Sequence, residues 1–384
     1  MKLGIFKRTA IVTALATAGL TAHAADGYSF YALVDGGIAS TSVKGGPSSS
    51  SLGTTTEFVT GGYAPTFIGM KAEKSMDGMT GGFQLEQGFL LNPNQAASTT
   101  TTTSNWGFGA TNSLFNRQAN LFIKGTGGTL KVGTMDNIAF STVLKVDPRA
   151  GSNFGSGLQY VSADGPLGTV DVGAINYTSP TVDGFTGSVS IVPDSLAGTN
   201  STNNGSNNSG SRVSVTYSAG PLTLAAANFL NHTSGNIGSR GNVGGLTYNI
   251  GSTITLKVLG ASEMSSTFTS LTTGGVGGTY ALSAKTVFDL GVYQVSDSKT
   301  NYKMGTMAAG VQQELFKDLK IYGQFASTTD HSGTGVTVGG NYNFTSYISP
   351  QTSSTTGAAY TGPYALTSGQ TAQTINIGLL YGFF

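Results

Sequence analysis

Side chains that could carry out chemistry are few in this sequence of 384 residues. It contains 19 Lys and Arg, 18 Asp and Glu, 3 His and no Cys. Charged residues make up 10% of the chain, whereas soluble domains have about 25%. His232 and His331 stand in Gly-, Ser- and Asn-rich stretches. Neither has an evident Ser and Asp constellation, as in a hydrolase, or the i, i+4 spacing of a metal site. The sequence therefore predicts neither an enzyme nor a bound metal or other cofactor.

The remaining charges stand in segments where apolar residues recur at every second position. Examples are Leu130/Val132, Val213/Val215/Tyr217, Ile254/Leu256/Val258 and Ile375/Ile377/Leu379/Tyr381/Phe383. A period of two is typical of β-strands with one apolar and one polar face. The apolar face could pack on a second sheet, as in a soluble sandwich, or face lipid, as in an outer-membrane barrel. The period alone leaves both open.

The connections between these segments favour the barrel. Minimal joints such as 76–79, 125–128 and 316–318 alternate with long Gly-, Ser-, Thr- and Asn-rich stretches such as 92–113 and 193–210. Outer-membrane barrels collect tight turns at one end and long loops at the other. We therefore predict an all-β fold, a transmembrane antiparallel β-barrel of 16 strands. Residues 336–344 also alternate, which leaves 18 strands as the alternative.

Residues 1–24 have the three parts of a secretory signal peptide. Lys2, Lys7 and Arg8 are basic, residues 9–20 form a short apolar stretch, and residues 22–24 read Ala-His-Ala. We expect cleavage after Ala24, which leaves one barrel domain at 25–384 outside the cytoplasm. Losing three basic residues changes the net charge from +1 to −2, and no basic run remains that would indicate nucleic-acid binding.

Several strings resemble the general porins of Gram-negative bacteria, particularly those of β-proteobacteria. They are TFIGMKAEKSMDGMTGGFQLEQGF at 66–89, FNRQANLFIKGTGGTLKVGTMDN at 115–137, FSTVLKVDPRAG at 140–151 and INYTSPTVDGFTGSVSI at 175–191. The resemblance implies an outer-membrane channel, usually a homotrimer, through which small hydrophilic solutes and ions diffuse passively. It also implies that the third loop folds into the pore.

The third loop supplies candidates for the pore constriction, where charge and width set selectivity. These candidates are Asp136, Lys145, Asp147 and Arg149. The competing interpretation is that Lys145 and Asp147 tie the loop to itself or to the wall, with Asp147-Pro148 forming a turn.

On the strands, the residues at the polar positions of the alternation are predicted to face the interior from the barrel wall. They are Lys71, Glu73, Gln84, Glu86 and Lys131. A Lys or Arg on the lipid side at mid-depth would cost about 2–4 kcal/mol. Lys71 and Glu86 are predicted either as an internal ion pair or as interior charges of each sign.

Aromatic residues at strand ends are predicted to form the girdles of a barrel at the membrane interfaces. The set comprises Tyr31, Tyr63, Phe89, Phe122, Tyr177, Tyr322 and Phe325. In the last strand, five residues resemble the signal recognised by the outer-membrane barrel-assembly machinery. They are Asn376, Gly378, Tyr381, Phe383 and Phe384. The implied partners are that machinery and outer-membrane lipid.

Three positions depart from the family pattern. The third loop of relatives commonly continues from Asp-Pro into an aromatic residue or Gly, whereas Arg149 follows here. Where relatives tend to carry Arg, this sequence has Phe67 and Thr134, so the resemblance does not extend to a basic ladder on the wall. A channel for neutral solutes is therefore a narrower alternative. The low charge and the polar, uncharged loops leave a second alternative, an abundant surface-structural or adhesive barrel with little conductance.

Overall fold

The computed structural model describes residues 27–45, 54–89, 91, 114–158, 160–161, 167–193, 209–233, 236–265, 270–297, 301–332, 366 and 368–383. The predicted signal peptide at 1–24, the alternating stretch 336–344 and Phe384 lie outside these residues.

Strands dominate the described part of the chain. They are β1 (Gly27–Gly45), β2 (Thr54–Thr60), β3 (Phe67–Met76), β4 (Met79–Gly88), β5 (Gln118–Gly125), β6 (Gly128–Asp136), β7 (Val170–Thr178), β8 (Phe185–Val192), β9 (Ser209–Ala219), β10 (Leu222–Thr233), β11 (Asn236–Ile250), β12 (Ile254–Ser265), β13 (Leu271–Ala281), β14 (Thr286–Asp297), β15 (Tyr302–Phe316), β16 (Leu319–Asp330) and β17 (Gln370–Phe383). A helix, α1 (Ile138–Val146), follows β6. No helix in the described ranges is long and apolar enough to span a membrane.

The sheet closes on itself. From β3 to β17 each strand pairs antiparallel with the next. β17 then pairs with β1, from Ala32↔Phe383 to Gly45↔Gln370. Since β1 pairs with β3 along its first half and with β2 along its second, β2 and β3 share one place in the ring. The barrel therefore has 16 strand positions, which confirms the predicted fold.

Exposure alternates along the strands as the period of two predicts. In β17, Ile375 and Ile377 are 54% and 56% exposed on the outer face, whereas Asn376 between them is fully buried on the inner face. Tyr381 and Phe383 also point outward, and Gly378 points inward. Their role as an assembly signal stays a prediction.

Tight turns join the strands at one end of the barrel. Between β3 and β4, Asp77 has φ 51° and Gly78 has φ 78°. Positive φ at both central positions defines the turn that matches the twist of a two-residue hairpin, and Gly and Asp tolerate it. The joints at 126–127, 220–221 and 317–318 are equally short, so the predicted turn end is present.

Residues 61–66 interrupt the second strand position, and Asp35 of β1 holds this break together. The Asp35 carboxylate accepts hydrogen bonds from the backbone N–H groups of Tyr63 at 2.6 Å and Ala64 at 2.7 Å. It also accepts one from the Tyr322 hydroxyl at 2.7 Å. The Thr66 hydroxyl bonds both the N–H and the C=O of Asp35. These contacts replace the ladder bonds that the break removes.

The girdle prediction is wrong for four aromatic residues. Tyr31, Tyr63, Phe122 and Tyr322 point into the barrel and are at most 7% exposed. Tyr177 and Phe325 do lie on the outer face, 44% and 37% exposed.

Glycines on the inner face make room for these rings. A side chain at Gly69 would collide with Tyr31, one at Gly82 with Phe122 and one at Gly378 with Tyr322. The absent side chain at Gly378 thus lets Tyr322 cross β17 and reach Asp35.

We predict that Asp35→Asn destabilises the barrel by about 1–3 kcal/mol, because one of the two buried acceptor oxygens becomes a donor that faces other donors. The measurement is the midpoint of heat unfolding in detergent, followed by circular dichroism. Asp183→Asn, in the exposed turn between β7 and β8, is the matched control. An Asp35→Asn midpoint equal to that of the control would contradict the assigned role.

Candidate functional site

The segment that joins β6 to β7 is called the inner loop below, and its described residues, 137–158, 160–161 and 167–169, fold into the barrel. It begins with α1, whose N-cap Asn137 accepts hydrogen bonds from the N–H groups of Ala139 at 2.8 Å and Phe140 at 3.4 Å. The Asn137 amide in turn contacts Asp171 of β7, which forms a buried ion pair with Arg212 of β9 at 2.9 Å. The first turn of α1 is thus capped by Asn137, and the same residue fixes it to the inner wall.

One side of α1 packs against the inner wall of β9–β12. Ala139, Val143, Leu144 and Val146 are at most 2% exposed there. They belong to an apolar cluster with wall residues, among them Ala225, Ala227, Phe229, Val243, Leu259, Ala261 and Tyr293. The alternation had suggested a wet polar inner face on these strands, but the part that packs against the inner loop is apolar and buried. Hydrophobic burial holds the loop against the wall.

Asp147, predicted at the pore constriction, is instead fully buried inside the inner loop. Its carboxylate accepts hydrogen bonds from the N–H groups of Gly151 and Gly157, both at 2.7 Å, and from the Tyr293 hydroxyl at 3.1 Å. Burial raises the pKa of Asp147, while these donors and the nearby Lys257 act in the opposite direction. The turn-forming interpretation is the one that matches this geometry.

Arg149 is also fully buried, so its side chain does not face water as a constriction residue must. Its Nε donates to Asp289 of β14 at 2.5 Å, and Nη2 donates to Gln324 of β16 at 2.9 Å. Nη1 donates to the carbonyl oxygen of Phe154 within the loop. A guanidinium with donors in a fixed fork suits this three-way junction, and Arg149 ties the inner loop to two wall strands.

The tip of the inner loop docks on the break in the second strand position. The Asn153 N–H donates to the Tyr63 carbonyl and its side-chain amide donates to the Gly61 carbonyl, both at 2.9 Å. Phe154 packs with Ala308 and Ala326 of the wall. The break at 61–66 therefore supplies backbone acceptors that an unbroken strand would use in its own ladder.

Lys145 and Asp136 keep part of their surface exposed. Lys145, near the end of α1, donates from Nζ to the Thr216 hydroxyl of β9 at 3.0 Å. Asp136 is the last residue of β6 and lies at the wall, where it interacts electrostatically with Arg117, Glu86 and Lys131. Of the four predicted constriction residues, the structure thus places these two within reach of water.

The predicted wall residues all point inward. Lys71 pairs with Glu73 at 2.5 Å and lies 5.3 Å from the centre of the Phe122 ring. Lys131 lies within electrostatic range of Asp136.

Glu86 is bound by three neighbouring side chains. It accepts hydrogen bonds from the Tyr31 hydroxyl at 2.8 Å, from Gln84 at 2.9 Å and from Arg117 at 3.3 Å. The predicted ion pair between Lys71 and Glu86 is not formed, because each has a nearer partner.

Arg117 was missed by the sequence analysis. It directly precedes β5, where no alternation indicates a direction for its side chain. Its guanidinium stacks 4.6 Å from the centre of the Phe67 ring, the position at which relatives tend to carry Arg. The residue that precedes β5, two strand positions away from β3, therefore places a positive charge beside Phe67. Both Arg117 and Asp289 could have been found from the sequence. Arg117 belongs to the quoted string 115–137, and Asp289 stands at an inward-facing position of an alternating segment.

We predict that Arg149→Met destabilises the protein by about 3–5 kcal/mol, because it leaves Asp289 charged and buried without a partner. Heat unfolding in detergent measures the effect. The double variant Arg149→Met/Asp289→Leu should recover part of the loss. Lys317→Met, at a side chain that is 93% exposed, should unfold like the wild type. An unchanged midpoint for Arg149→Met would show that this pair does not anchor the loop.

Comparisons with known proteins agree with this architecture. Solved structures that resemble this protein include an anion-selective porin from Comamonas acidovorans. That comparison has a TM-score of 0.69 and 16% sequence identity, and it covers 94% of this chain and 100% of that one. OmpF of Salmonella typhi in complex with daunomycin gives 0.60 and 14%, over 93% and 98%. The trimer form of OmpT, an outer membrane protein of Vibrio cholerae, gives 0.59 and 14%, over 94% and 100%.

At these identities the likeness concerns the fold alone. No curated protein matches the sequence. The family model described as Gram-negative porin matches residues 9–334, most of the chain. The protein therefore belongs to the Gram-negative porin family.

Proposed function

We propose that the narrowest part of the solute path lies between α1 and the inner wall of β3–β6. As a Gram-negative porin, the protein is an outer-membrane channel for the passive diffusion of solutes. The observation that carries the proposal is the division of α1 into two sides. One side is sealed against β9–β12 by apolar packing, whereas Ile138 and Ser141 on the other side keep part of their surface exposed. Lys145 is also partly exposed, and its Nζ reaches back to Thr216 of β9.

The opposite wall is suited to bound such a path. Lys71 and Glu73 remain 13% and 19% exposed, and Arg117 remains 21% exposed. Among the described residues, the apolar cluster lies between α1 and β9–β12, so we expect no solute path there. Small hydrophilic solutes and ions would therefore pass along the charged wall, where ionised groups replace part of their hydration.

We further propose that the channel is a homotrimer and has no enzymatic activity. A trimer form is named for the Vibrio cholerae relative, and membership of the porin family favours a channel over an enzyme. Removal of the signal peptide at 1–24, insertion by the barrel-assembly machinery and contact with outer-membrane lipid complete the proposal. The alternative of a surface-structural barrel predicts the same fold without conductance.

Planar lipid bilayers test the channel and its path together. The purified protein should open in stable current steps that occur in groups of three. Ser141→Trp, which places a large ring on the exposed side of α1, should lower the conductance of each step. Val213→Trp on the lipid-facing side, where Val213 is 53% exposed, is the matched control and should conduct like the wild type.

Two results would contradict the proposal in different ways. A folded trimer that never conducts would favour the surface-structural alternative. A conducting Ser141→Trp variant with wild-type step size would place the path elsewhere in the barrel.

A further inference from the structure

We propose that Glu263 of β12 and Thr273 of β13 form a binding position for a hard divalent cation, Ca²⁺ or Mg²⁺. The position lies on the inner wall, toward the end of the barrel opposite the tight turns. The inference goes beyond the proposed channel function, because it concerns an ion that stays bound to the wall rather than a solute that passes.

Glu263 is a buried carboxylate that no protein group compensates. Its side chain is fully buried, and neither of its carboxylate oxygens accepts a hydrogen bond from the described residues. It also takes part in none of the ion pairs between them. An ionised carboxylate removed from water in this way is strongly unfavourable unless a proton or a cation neutralises it.

Other buried carboxylates inside the barrel have such compensation. Asp289 and Asp171 each pair with an arginine. Asp35 and Asp147 each accept hydrogen bonds from two backbone N–H groups and a tyrosine hydroxyl. Since Glu263 has neither an arginine nor these donors, it differs from all four.

The hydroxyl of Thr273 is a second buried group without a partner, and it lies beside Glu263. Thr273 is 2% exposed, and its Oγ1 has no hydrogen-bond partner among the described residues. In the register of β12 and β13, Glu263 is opposite Leu271 and Thr273 is opposite Ala261. The two side chains are therefore diagonal neighbours on the inner face, close enough to contact one ligand.

No cationic side chain in the described ranges reaches Glu263. Lys257 faces the same way on β12, but it stands six residues away, about 20 Å along the strand. Arg212 is held by Asp171, and Arg240 is exposed on the outer face. The missing positive charge must therefore come from outside this set of residues, and a bound ion supplies it.

A second carboxylate adds to the attraction for a cation. Asp297 of β14 is 1% exposed on the same inner face. Leu271 is opposite both Glu263 and Asp297, which places Asp297 two strands away, at about 10 Å. At that distance Asp297 does not bind the same ion, but its negative charge favours a cation at Glu263.

A hard divalent cation suits these groups because Ca²⁺ and Mg²⁺ take oxygen ligands. The Glu263 carboxylate can supply two oxygens and Thr273 a third, and water molecules would complete the coordination. The described part of the chain has no group of three or more His, Cys, Asp or Glu that could hold a metal, so one carboxylate carries most of the affinity. We therefore expect a dissociation constant on the order of 1 mM, as in weak extracellular Ca²⁺ sites.

Heat unfolding of the purified protein in a nonionic detergent tests the position. After removal of metals with EDTA, CaCl₂ and MgCl₂ are added in separate titrations at constant ionic strength. At least one of them should raise the wild-type midpoint, with half of the effect at about 1 mM. Glu263→Gln keeps the shape but removes the charge, and its midpoint should not respond. Glu57→Gln, at an exposed carboxylate of β2, is the matched control and should respond like the wild type.

Isothermal titration calorimetry with the same two salts measures binding directly. Glu263→Gln should weaken binding at least tenfold, and Thr273→Val should weaken it about fivefold, the effect of one lost oxygen ligand worth about 1 kcal/mol. Equal responses of the wild type and Glu263→Gln, or a wild type that binds neither ion, would overturn the inference. Neither result bears on conductance, so the proposed channel is tested separately. Migration on gels before and after boiling shows that each variant is folded.

Discussion

The structure depends on one constraint, which is that no strand edge can stay unpaired in a membrane. β1 satisfies it for both ends of the sheet, because it pairs with β17 along one edge and with β2 and β3 along the other. Asp35 stands at this junction, where β2 gives way to β3. The same carboxylate that repairs the break also fixes the segment on which the tip of the inner loop docks. Closure of the barrel and placement of the loop are therefore parts of one hydrogen-bonded arrangement.

The inner loop divides the inside of this porin into two regions of different character. Against β9–β15 it builds an apolar cluster with buried ion pairs at its margins, which resembles the core of a soluble domain. Against β3–β6 charged side chains remain in contact with water. The buried pairs Arg149–Asp289 and Arg212–Asp171 position the loop, whereas we propose that the exposed charges act on solutes. Charged residues in this interior thus have two separate roles. The exposure of each side chain distinguishes the roles, whereas the sequence alone does not.

Much of the fold could be predicted from the sequence because lipid imposes a simple rule on each strand. The alternation of Ile375, Ile377 and Leu379 gave the outward face, and the inward direction of Lys71 and Glu73 followed from the same phase. The rule does not extend inside the barrel. Tyr31 and Tyr322 look like girdle residues in sequence, but they point inward. Gly69 and Gly378 leave room for their rings, and Asp35 accepts a hydrogen bond from Tyr322. The burial of Arg149 likewise depends on Asp289, 140 positions away, and no local pattern indicates such a contact.

The central claim is that solutes pass the exposed side of α1 while its other side stays sealed. Because the sequence has no Cys, single cysteines at Ser141 and Thr142 can test it with a water-soluble thiol reagent during bilayer recording. Ser141→Cys should react quickly, with a drop in conductance, whereas Thr142→Cys, at a side chain that is 1% exposed, should not react. Rapid reaction at position 142, or none at position 141, would contradict the account.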